Sequence, residues 1–274
     1  MRTANITCAR STATKVLDIG PGIGLPAAGL RRTAVTLLLA CALAAPAAAV
    51  PPPAPARAAP GPGPNADPTF PFSNEVEAFA KANSAGPPMR DATLFLGSSS
   101  IRLWDIAGSF TDIGTVNRGF GGATTAHVLH YYKRLLPPVP PRSVVVYVGE
   151  NDLAAGTTPD AVSRDILTLL KRLRADYPRA AIVWLSLKPS PIRWTLWPKM
   201  AQVNAAIAAR ARAEKFDYLD VGTALLARDG LPDASLFRPD GLHMNARGYQ
   251  RWTGLVDAYL DHARPVGTSG GKTS

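Results

Sequence analysis

Cysteine is nearly missing from the sequence, and its two copies, Cys8 and Cys41, both stand close to the N-terminus. The rest of the chain therefore cannot form an internal disulfide or a cysteine metal site. Aromatic residues are missing from the N-terminal part as well, because every Trp, Tyr and Phe lies at Phe70 or later. Large apolar side chains build folded cores. The sequence thus places its core after position 66, in a stretch long enough for one α/β domain.

Acidic residues are also scarce, with 20 Asp and Glu against 30 Lys and Arg and a net charge of +10. The basic residues are scattered along the chain, whereas proteins that bind nucleic acid usually carry a basic patch or a recognisable module. The sequence therefore predicts no nucleic-acid partner. Long apolar runs are missing too. The stretch 33–45 is short, rich in alanine and followed by Pro46, whereas a membrane span needs about 20 apolar residues.

The same stretch carries a targeting signal. An arginine pair precedes the apolar segment 33–45, and an Ala-x-Ala site follows it. This order predicts a secretory signal peptide that is cleaved after Ala49, and export to the periplasm or the extracellular space. Residues 38–41 also resemble a lipobox, in which Cys41 would be lipidated and would tether the protein to a membrane. Both alternatives stay open.

The chain divides into four parts by composition. An N-terminal extension with the signal peptide covers 1–49, and a disordered linker rich in Pro, Ala and Gly covers 50–66. A folded domain covers 67–265, and a disordered tail covers 266–274. Within the domain, apolar runs alternate with helical patterns. The predicted strands are 92–96, 113–117, 143–148, 181–185 and 216–221, and the predicted helices lie around 74–81, at 124–136, from 159, within 197–215 and at 245–262. This alternation predicts a parallel sheet covered on both faces.

Polar residues collect at four strand ends, where ligands of parallel α/β sheets bind. They are the serines of 97–100, the glycine-rich turn 117–124, the polar run 149–152, and the loop 238–245 with a carboxylate and an imidazole three residues apart. Each has a structural alternative, because serines and asparagines cap helices and glycines make turns. The glycine turn could hold an anion on its backbone N–H groups but lacks the lysine of a P-loop.

Together these strand ends provide the groups needed for acyl transfer by a serine nucleophile. A serine hydroxyl reacts poorly at neutral pH and needs a base within hydrogen-bond reach, a role for which histidine is suited. A carboxylate on the far ring nitrogen fixes the tautomer of that histidine. Backbone or asparagine N–H groups stabilise the oxyanion of the tetrahedral intermediate.

These four segments resemble the SGNH hydrolases, also called the GDSL family of esterases and lipases. The family's blocks are matched, in order, by 97–101, 117–124, 149–152 and 240–243. One position departs from the family pattern, since Ser98 stands where the family usually has Asp. The run Gly-Ser-Ser-Ser-Ile-Arg is similar to a bacterial subgroup.

The resemblance implies a role for five residues. Ser99 is the implied nucleophile, His243 the base and Asp240 its orienting carboxylate. The implied oxyanion hole consists of the Ser99 N–H, the Gly122 N–H and the Asn151 side chain. Ser100 is left as the residue that caps the following helix. The resemblance also implies a three-layer, flavodoxin-like α/β/α sandwich of about five parallel strands, with no metal and no cofactor.

Five further residues are candidates for substrate binding, because cations and aromatic rings beside a site can bind sugars or acidic groups. They are Arg102, Trp104, Lys188, Arg193 and Trp194, and the alternative is that they only pack their loops. The protein is expected to be an exported serine esterase that hydrolyses short acyl esters. Its substrate is expected to be a small ester, or an acetylated polysaccharide of the cell envelope or of plants. The alternatives are an O-acyltransferase on the same scaffold and a non-catalytic carbohydrate-binding protein.

Overall fold

The computed structural model describes residues 70–85 and 89–263. The predicted signal peptide, the lipidation site at Cys41, the linker 50–66 and the tail 266–274 lie outside the described residues. The described residues all fall within the domain expected at 67–265.

The described residues form a five-stranded parallel sheet in the order β2-β1-β3-β4-β5. Its strands are β1 (Thr93–Gly97), β2 (Thr115–Gly119), β3 (Ser143–Tyr147), β4 (Ala181–Leu185) and β5 (Asp217–Leu219). The predicted α/β class and number of strands are confirmed. The edge strand β2 begins two residues later than expected, because its ladder with β1 starts at the pair Thr93 and Thr115. The sequence between the two strands has no other feature that sets this register.

Helices alternate with the strands. They are α1 (Ser73–Ser84), α2 (Ser99–Arg102), α3 (Ile106–Ser109), α4 (Thr125–Leu135), α5 (Glu150–Ala154), α6 (Pro159–Asp176), α7 (Trp197–Arg210) and α8 (Ala246–His262), with 3₁₀ turns at Pro191–Leu196, Thr223–Leu225 and Ala234–Leu236. Thr124, Thr158 and Asn245 cap α4, α6 and α8 with their side chains. The short helices α3 and α5 were not expected, since one turn carries no apolar periodicity, whereas a helix was expected after the serines that follow β1, and α2 lies there.

The helices cover both faces of the sheet. On one face α1 packs on α4, α4 on α6, and α6 on α7. On the other face an aromatic cluster joins the sheet to α8. It includes the contacts of Trp104 with Phe95, Phe110 and Trp252, and of Trp252 with Tyr147. The result is the expected three-layer α/β/α sandwich. No helix in the described part of the chain is long and apolar enough to cross a membrane.

The strand order places a crevice beside the carboxyl end of β1. The chain runs from β1 to its neighbour β2 on one side and then returns to β3 on the other side. At such a reversal the connections leave in opposite directions and open a crevice, which is where parallel α/β sheets bind ligands. Ser99 follows β1 and Asn151 follows β3, so both lie at this crevice.

Candidate active site

Ser99 is the first residue of α2, directly after the sharp turn that ends β1. The turn depends on Gly97, whose φ is +154° and on which a Cβ would overlap the carbonyl oxygen of Tyr147. Ser98 occupies the N-cap position, without a side-chain capping bond. The expectation that Ser100 caps the helix is therefore wrong. Ser100 is already inside the helix and buried, and its carbonyl oxygen accepts a hydrogen bond from the Tyr249 hydroxyl.

The structure brings Ser99, His243 and Asp240 into one hydrogen-bonded chain. The Ser99 Oγ lies 3.0 Å from Nε2 of His243, and Nδ1 of the same ring lies 2.7 Å from Oδ2 of Asp240. The other Asp240 oxygen, Oδ1, accepts hydrogen bonds from the N–H groups of Leu242 and His243 at 2.9 Å. The carboxylate is thus fixed by backbone groups of its own loop. It faces Nδ1 of His243, while Nε2 of the same ring faces Ser99.

The ionisation of Asp240 fits this arrangement. Burial acts to raise the pKa of its carboxyl group, but the hydrogen bonds from the His243 ring and from two backbone N–H groups outweigh it and lower the pKa to about 2. The carboxylate is therefore ionised at neutral pH. An ionised Asp240 holds the proton of His243 on Nδ1, which leaves the lone pair of Nε2 directed at the Ser99 hydroxyl.

Asn245 anchors the loop 238–243 that carries this base. Its side-chain oxygen accepts a hydrogen bond from the Arg247 N–H and so caps α8. Its amide group donates to the carbonyl oxygens of Ser235 and Phe237. One side chain thereby fastens both ends of the loop, so the position of the base depends on the docking of α8.

The three candidate oxyanion donors also lie in this crevice. Gly122 adopts φ +73° in the turn before α4, and the Asn151 amide group donates to the carbonyl oxygen of Ala123, one residue further on, at 2.9 Å. Within the described residues, neither the Ser99 N–H nor the Gly122 N–H donates to another group. The Asn151 amide nitrogen has a second proton that this bond does not use. All three donors are therefore open to an incoming oxygen.

Asp152, which follows Asn151, stabilises the turn between Gly122 and α4. Its buried carboxylate accepts the Thr125 N–H with both oxygens, at 2.9 and 3.1 Å. Burial raises the pKa of this carboxyl group, while the hydrogen bond from Thr125 acts against the rise. A carboxylate at the N-terminus of α4 also interacts favourably with the helix dipole. The sequence predicts no role for Asp152, and its place beside Asn151 is the local signal that points to one.

Glu150 lies at the centre of a buried ionic cluster that the sequence does not predict. Its Oε2 lies 2.9 Å from Lys188 Nζ, and its Oε1 lies 3.0 Å from Nη1 of Arg193. The Tyr147 hydroxyl donates to Oε2 at 2.6 Å. Burial would raise the pKa of Glu150, but the two cations outweigh it and lower that pKa. Tyr147, Glu150, Lys188 and Arg193 are called the Glu150 cluster below.

Burial corrects two of the expected substrate contacts. Lys188 has a side-chain exposure of 0 % and Trp104 is 3 % exposed, so neither can contact a bound substrate. Arg102 is exposed. Its guanidinium lies beside Gly121, where a Cβ on the glycine would lie 3.2 Å from Arg102 Nη2. Trp194 is partly exposed and stacks on a neighbouring tryptophan. No group of three or more His, Cys, Asp or Glu side chains in the described part of the chain could hold a metal ion.

The chain resembles known proteins in both sequence and fold. Residues 103–251 match the model of the GDSL-like lipase/acylhydrolase family. The chain is 29% identical over 170 residues to platelet-activating factor acetylhydrolase IB subunit alpha2 of Homo sapiens, a match that covers 58% of this chain and 71% of the relative. The same figures hold for the Rattus norvegicus protein.

A solved structure shares the fold. The GDSL-like lipase of Bacteroides thetaiotaomicron VPI-5482 superposes with a TM-score of 0.59 at 21% identity, over 69% of this chain and 98% of that one. The resemblance drawn from the four sequence blocks is confirmed at the level of the family, while the bacterial subgroup stays a prediction. The matched residues make up more than half of this chain, and the chain therefore belongs to the GDSL-like lipase/acylhydrolase family.

Proposed function

We propose that this member of an ester-hydrolysing family is a serine esterase that releases short acyl groups, in particular acetyl, through an acyl-enzyme. The hydrogen-bonded chain from Ser99 through His243 to Asp240 carries the proposal. A hydroxyl 3.0 Å from an imidazole whose far nitrogen faces an ionised carboxylate is the arrangement that activates a serine for attack on a carbonyl carbon.

The proposed reaction has two halves. Ser99 Oγ attacks the ester carbonyl carbon while His243 Nε2 takes the hydroxyl proton, and the carbonyl oxygen becomes an oxyanion. Collapse of this intermediate breaks the bond to the alcohol, which leaves with the proton held by His243. Water then attacks the acyl-Ser99 ester while His243 takes a proton from it, and collapse of the second intermediate releases the acid as His243 returns that proton to Ser99 Oγ. Asp240 stays ionised and stabilises the imidazolium in both halves.

The oxyanion is placed against the N–H groups of Ser99, Gly122 and Asn151. In both halves of the reaction the negative charge forms at the same carbonyl oxygen, so one set of donors serves twice. Loss of a single preorganised donor typically costs about 10²–10³ in kcat. The free backbone donors and the fixed orientation of Asn151 support this assignment.

Two observations bear on the substrate. The curated relatives are named acetylhydrolases, which supports an acetyl or similarly short acyl group. Arg102 and Trp194 keep exposed surface near the crevice and suit an acylated carbohydrate as the alcohol part. Export is proposed from the signal-peptide pattern before Ala49, with the lipid tether at Cys41 as its alternative.

Substitution of the nucleophile tests the proposal. Ser99→Ala is expected to abolish hydrolysis of p-nitrophenyl acetate and labelling by a fluorophosphonate probe, with an unchanged circular dichroism spectrum. Ser100→Ala is the matched control, because it removes the same hydroxyl one residue along the helix. Full activity of Ser99→Ala would contradict the proposal. Loss of activity in Ser100→Ala alone would place the nucleophile one position later.

The two alternative functions are separated by the products. An acyltransferase would give an acylated sugar when a carbohydrate acceptor is added to the assay, whereas an esterase gives free acid at an unchanged rate. A non-catalytic binding protein would bind carbohydrate without labelling by the fluorophosphonate probe. Mass spectrometry of the products and of the labelled protein distinguishes all three.

A further inference from the structure

Asn151 is the one proposed oxyanion donor that is a side chain, so its direction must be fixed by other groups. Its amide nitrogen donates to the Ala123 carbonyl oxygen at 2.9 Å, and its Oδ1 accepts from Arg193 Nη1 at 3.0 Å. A carboxamide turned by 180° would set its NH₂ against the guanidinium and its oxygen against a carbonyl, and both contacts would be lost. Arg193 thus determines which end of Asn151 faces the crevice.

Arg193 is held in turn by the Glu150 cluster. The same nitrogen, Nη1, contacts Glu150 Oε1 at 3.0 Å, while the fully buried Lys188 contacts the other carboxylate oxygen at 2.9 Å. Two cations therefore share one carboxylate, and the cluster carries positive charge in excess. Because this charge lies behind the Asn151 amide and is largely shielded from water, it favours negative charge on the crevice side of that amide.

The same segment also contacts the loop that carries the base. Ile192, the residue before Arg193, donates its backbone N–H to the Gly241 carbonyl oxygen at 3.1 Å. Gly241 lies between Asp240 and His243. The 3₁₀ turn Pro191–Leu196 therefore connects the oxyanion side of the crevice with its acid–base side.

We propose that Arg193, held by Glu150 and Lys188, is a positioning residue that orients the Asn151 carboxamide toward the oxyanion and places positive charge behind it. This role rests on the proposed esterase function. It reassigns Arg193 from contacting the substrate to acting through Asn151. The cluster then affects the transition state, where the oxyanion exists, more than the binding of the uncharged ester.

A double-mutant cycle on p-nitrophenyl acetate tests the proposal. Arg193→Ala is expected to lower kcat by up to about 10²-fold with little change in KM, as for a misplaced catalytic group. Because Arg193 acts mainly through Asn151, the double variant with Asn151→Ala is expected to lose far less activity than the product of the two single losses. Arg179→Ala is the control, because Arg179 is an exposed arginine in the loop between α6 and β4. Losses that multiply in the double variant would overturn the proposal.

Chemical rescue gives a second readout that general damage to the fold would not produce. Millimolar guanidinium is expected to restore part of kcat in Arg193→Ala by occupying the vacated site, and to leave the Asn151→Ala and Arg179→Ala variants unchanged. Arg193→Lys, which keeps the charge, is expected to lie between Arg193→Ala and the wild type. Wild-type kcat in Arg193→Ala, or a loss accompanied by unfolding that neither guanidinium nor Arg193→Lys relieves, would overturn the positioning role.

The outcomes separate the two proposals. If the wild type hydrolyses the ester and Ser99→Ala does not, the esterase function stands whatever Arg193→Ala shows. If the wild type neither hydrolyses the ester nor reacts with the fluorophosphonate probe, the proposed function fails, and the role of Arg193 fails with it.

Discussion

Replacing Glu150 by Gln should destabilise the fold strongly, although it removes no atom from the core. Glutamine has nearly the same shape, so no cavity forms, but Lys188 and Arg193 lose their shared carboxylate. At about 3 Å and an effective dielectric constant of about 20, each ion pair amounts to roughly 5 kcal/mol of attraction. Dehydration of the ions offsets much of this sum. Breaking a buried pair by removing one partner typically costs about 3–5 kcal/mol.

Urea unfolding followed by circular dichroism measures the effect. Glu150→Gln is expected to lower the midpoint concentration at an unchanged m-value, since the surface exposed on unfolding stays the same. Adding Lys188→Met should recover most of the loss, because it removes the cation that is fully buried and keeps its volume.

A surface cluster with the same three charged residue types is the matched control. Glu214 pairs with Lys171 and Arg210, whose side chains are both more than half exposed. Water screens these charges, so Glu214→Gln should change the midpoint little. Equal losses in Glu150→Gln and Glu214→Gln, or no recovery on adding Lys188→Met, would refute the argument that burial makes the Glu150 cluster sensitive.

Three further predictions concern activity, pH and glycine positions. Asp240→Asn should lower kcat by about 10⁴-fold in steady-state assays, because an amide does not hold the required tautomer of the base. Since the pKa of Asp240 is lowered from 3.8 to about 2, its stabilising effect is complete above pH 4 and is lost toward pH 2. The urea midpoint difference between wild type and Asp240→Asn should therefore narrow as the pH falls from 4 to 2. A difference that stays constant over this range would contradict this. Gly119→Ala should lower both the free energy of unfolding and kcat, because the added Cβ would overlap the backbone nitrogen of Arg102 in α2. Gly254→Ala is the control, because Gly254 lies on α8 with open space around it. This second substitution should raise the free energy of unfolding, measured with urea, by about 1 kcal/mol.

The sequence allows most of the sheet to be predicted for a simple physical reason. The run 143–147 is buried along its whole length, so its β-branched residues need no alternating pattern to be recognised as a central strand. The helix at 159–176 is recognisable because its apolar residues share one face and Pro159 marks its start. The edge strand β2 is only half-buried, and its bounds are set by pairing with β1, which local patterns do not reveal.

The site residues divide in the same way. Ser99 is visible because it belongs to a short local motif at a strand end, and Asp240 and His243 because they belong to a short local motif just before a helix. Glu150 pairs with Lys188, 38 positions later, because the neighbouring strands β3 and β4 end beside each other and place both side chains in the same buried region. A lysine in a loop after a strand is ordinarily exposed, and a cation beside a site can bind substrate, so the local sequence favours a substrate contact for Lys188. Lys188 is buried because its ammonium group pairs with the carboxylate of Glu150, which follows the neighbouring strand.

The hydrogen bond between Ser99 and His243 joins residues 144 positions apart in the chain. The nucleophile belongs to the first strand–helix connection of the sheet, and the base reaches it only when α8, the last helix of the described part of the chain, has docked through Asn245. A chain still emerging from the ribosome, or a refolding intermediate that lacks α8, would hold the serine without its base. Recovery of esterase activity after dilution from urea should therefore follow the final docking step, later than the recovery of helical circular dichroism.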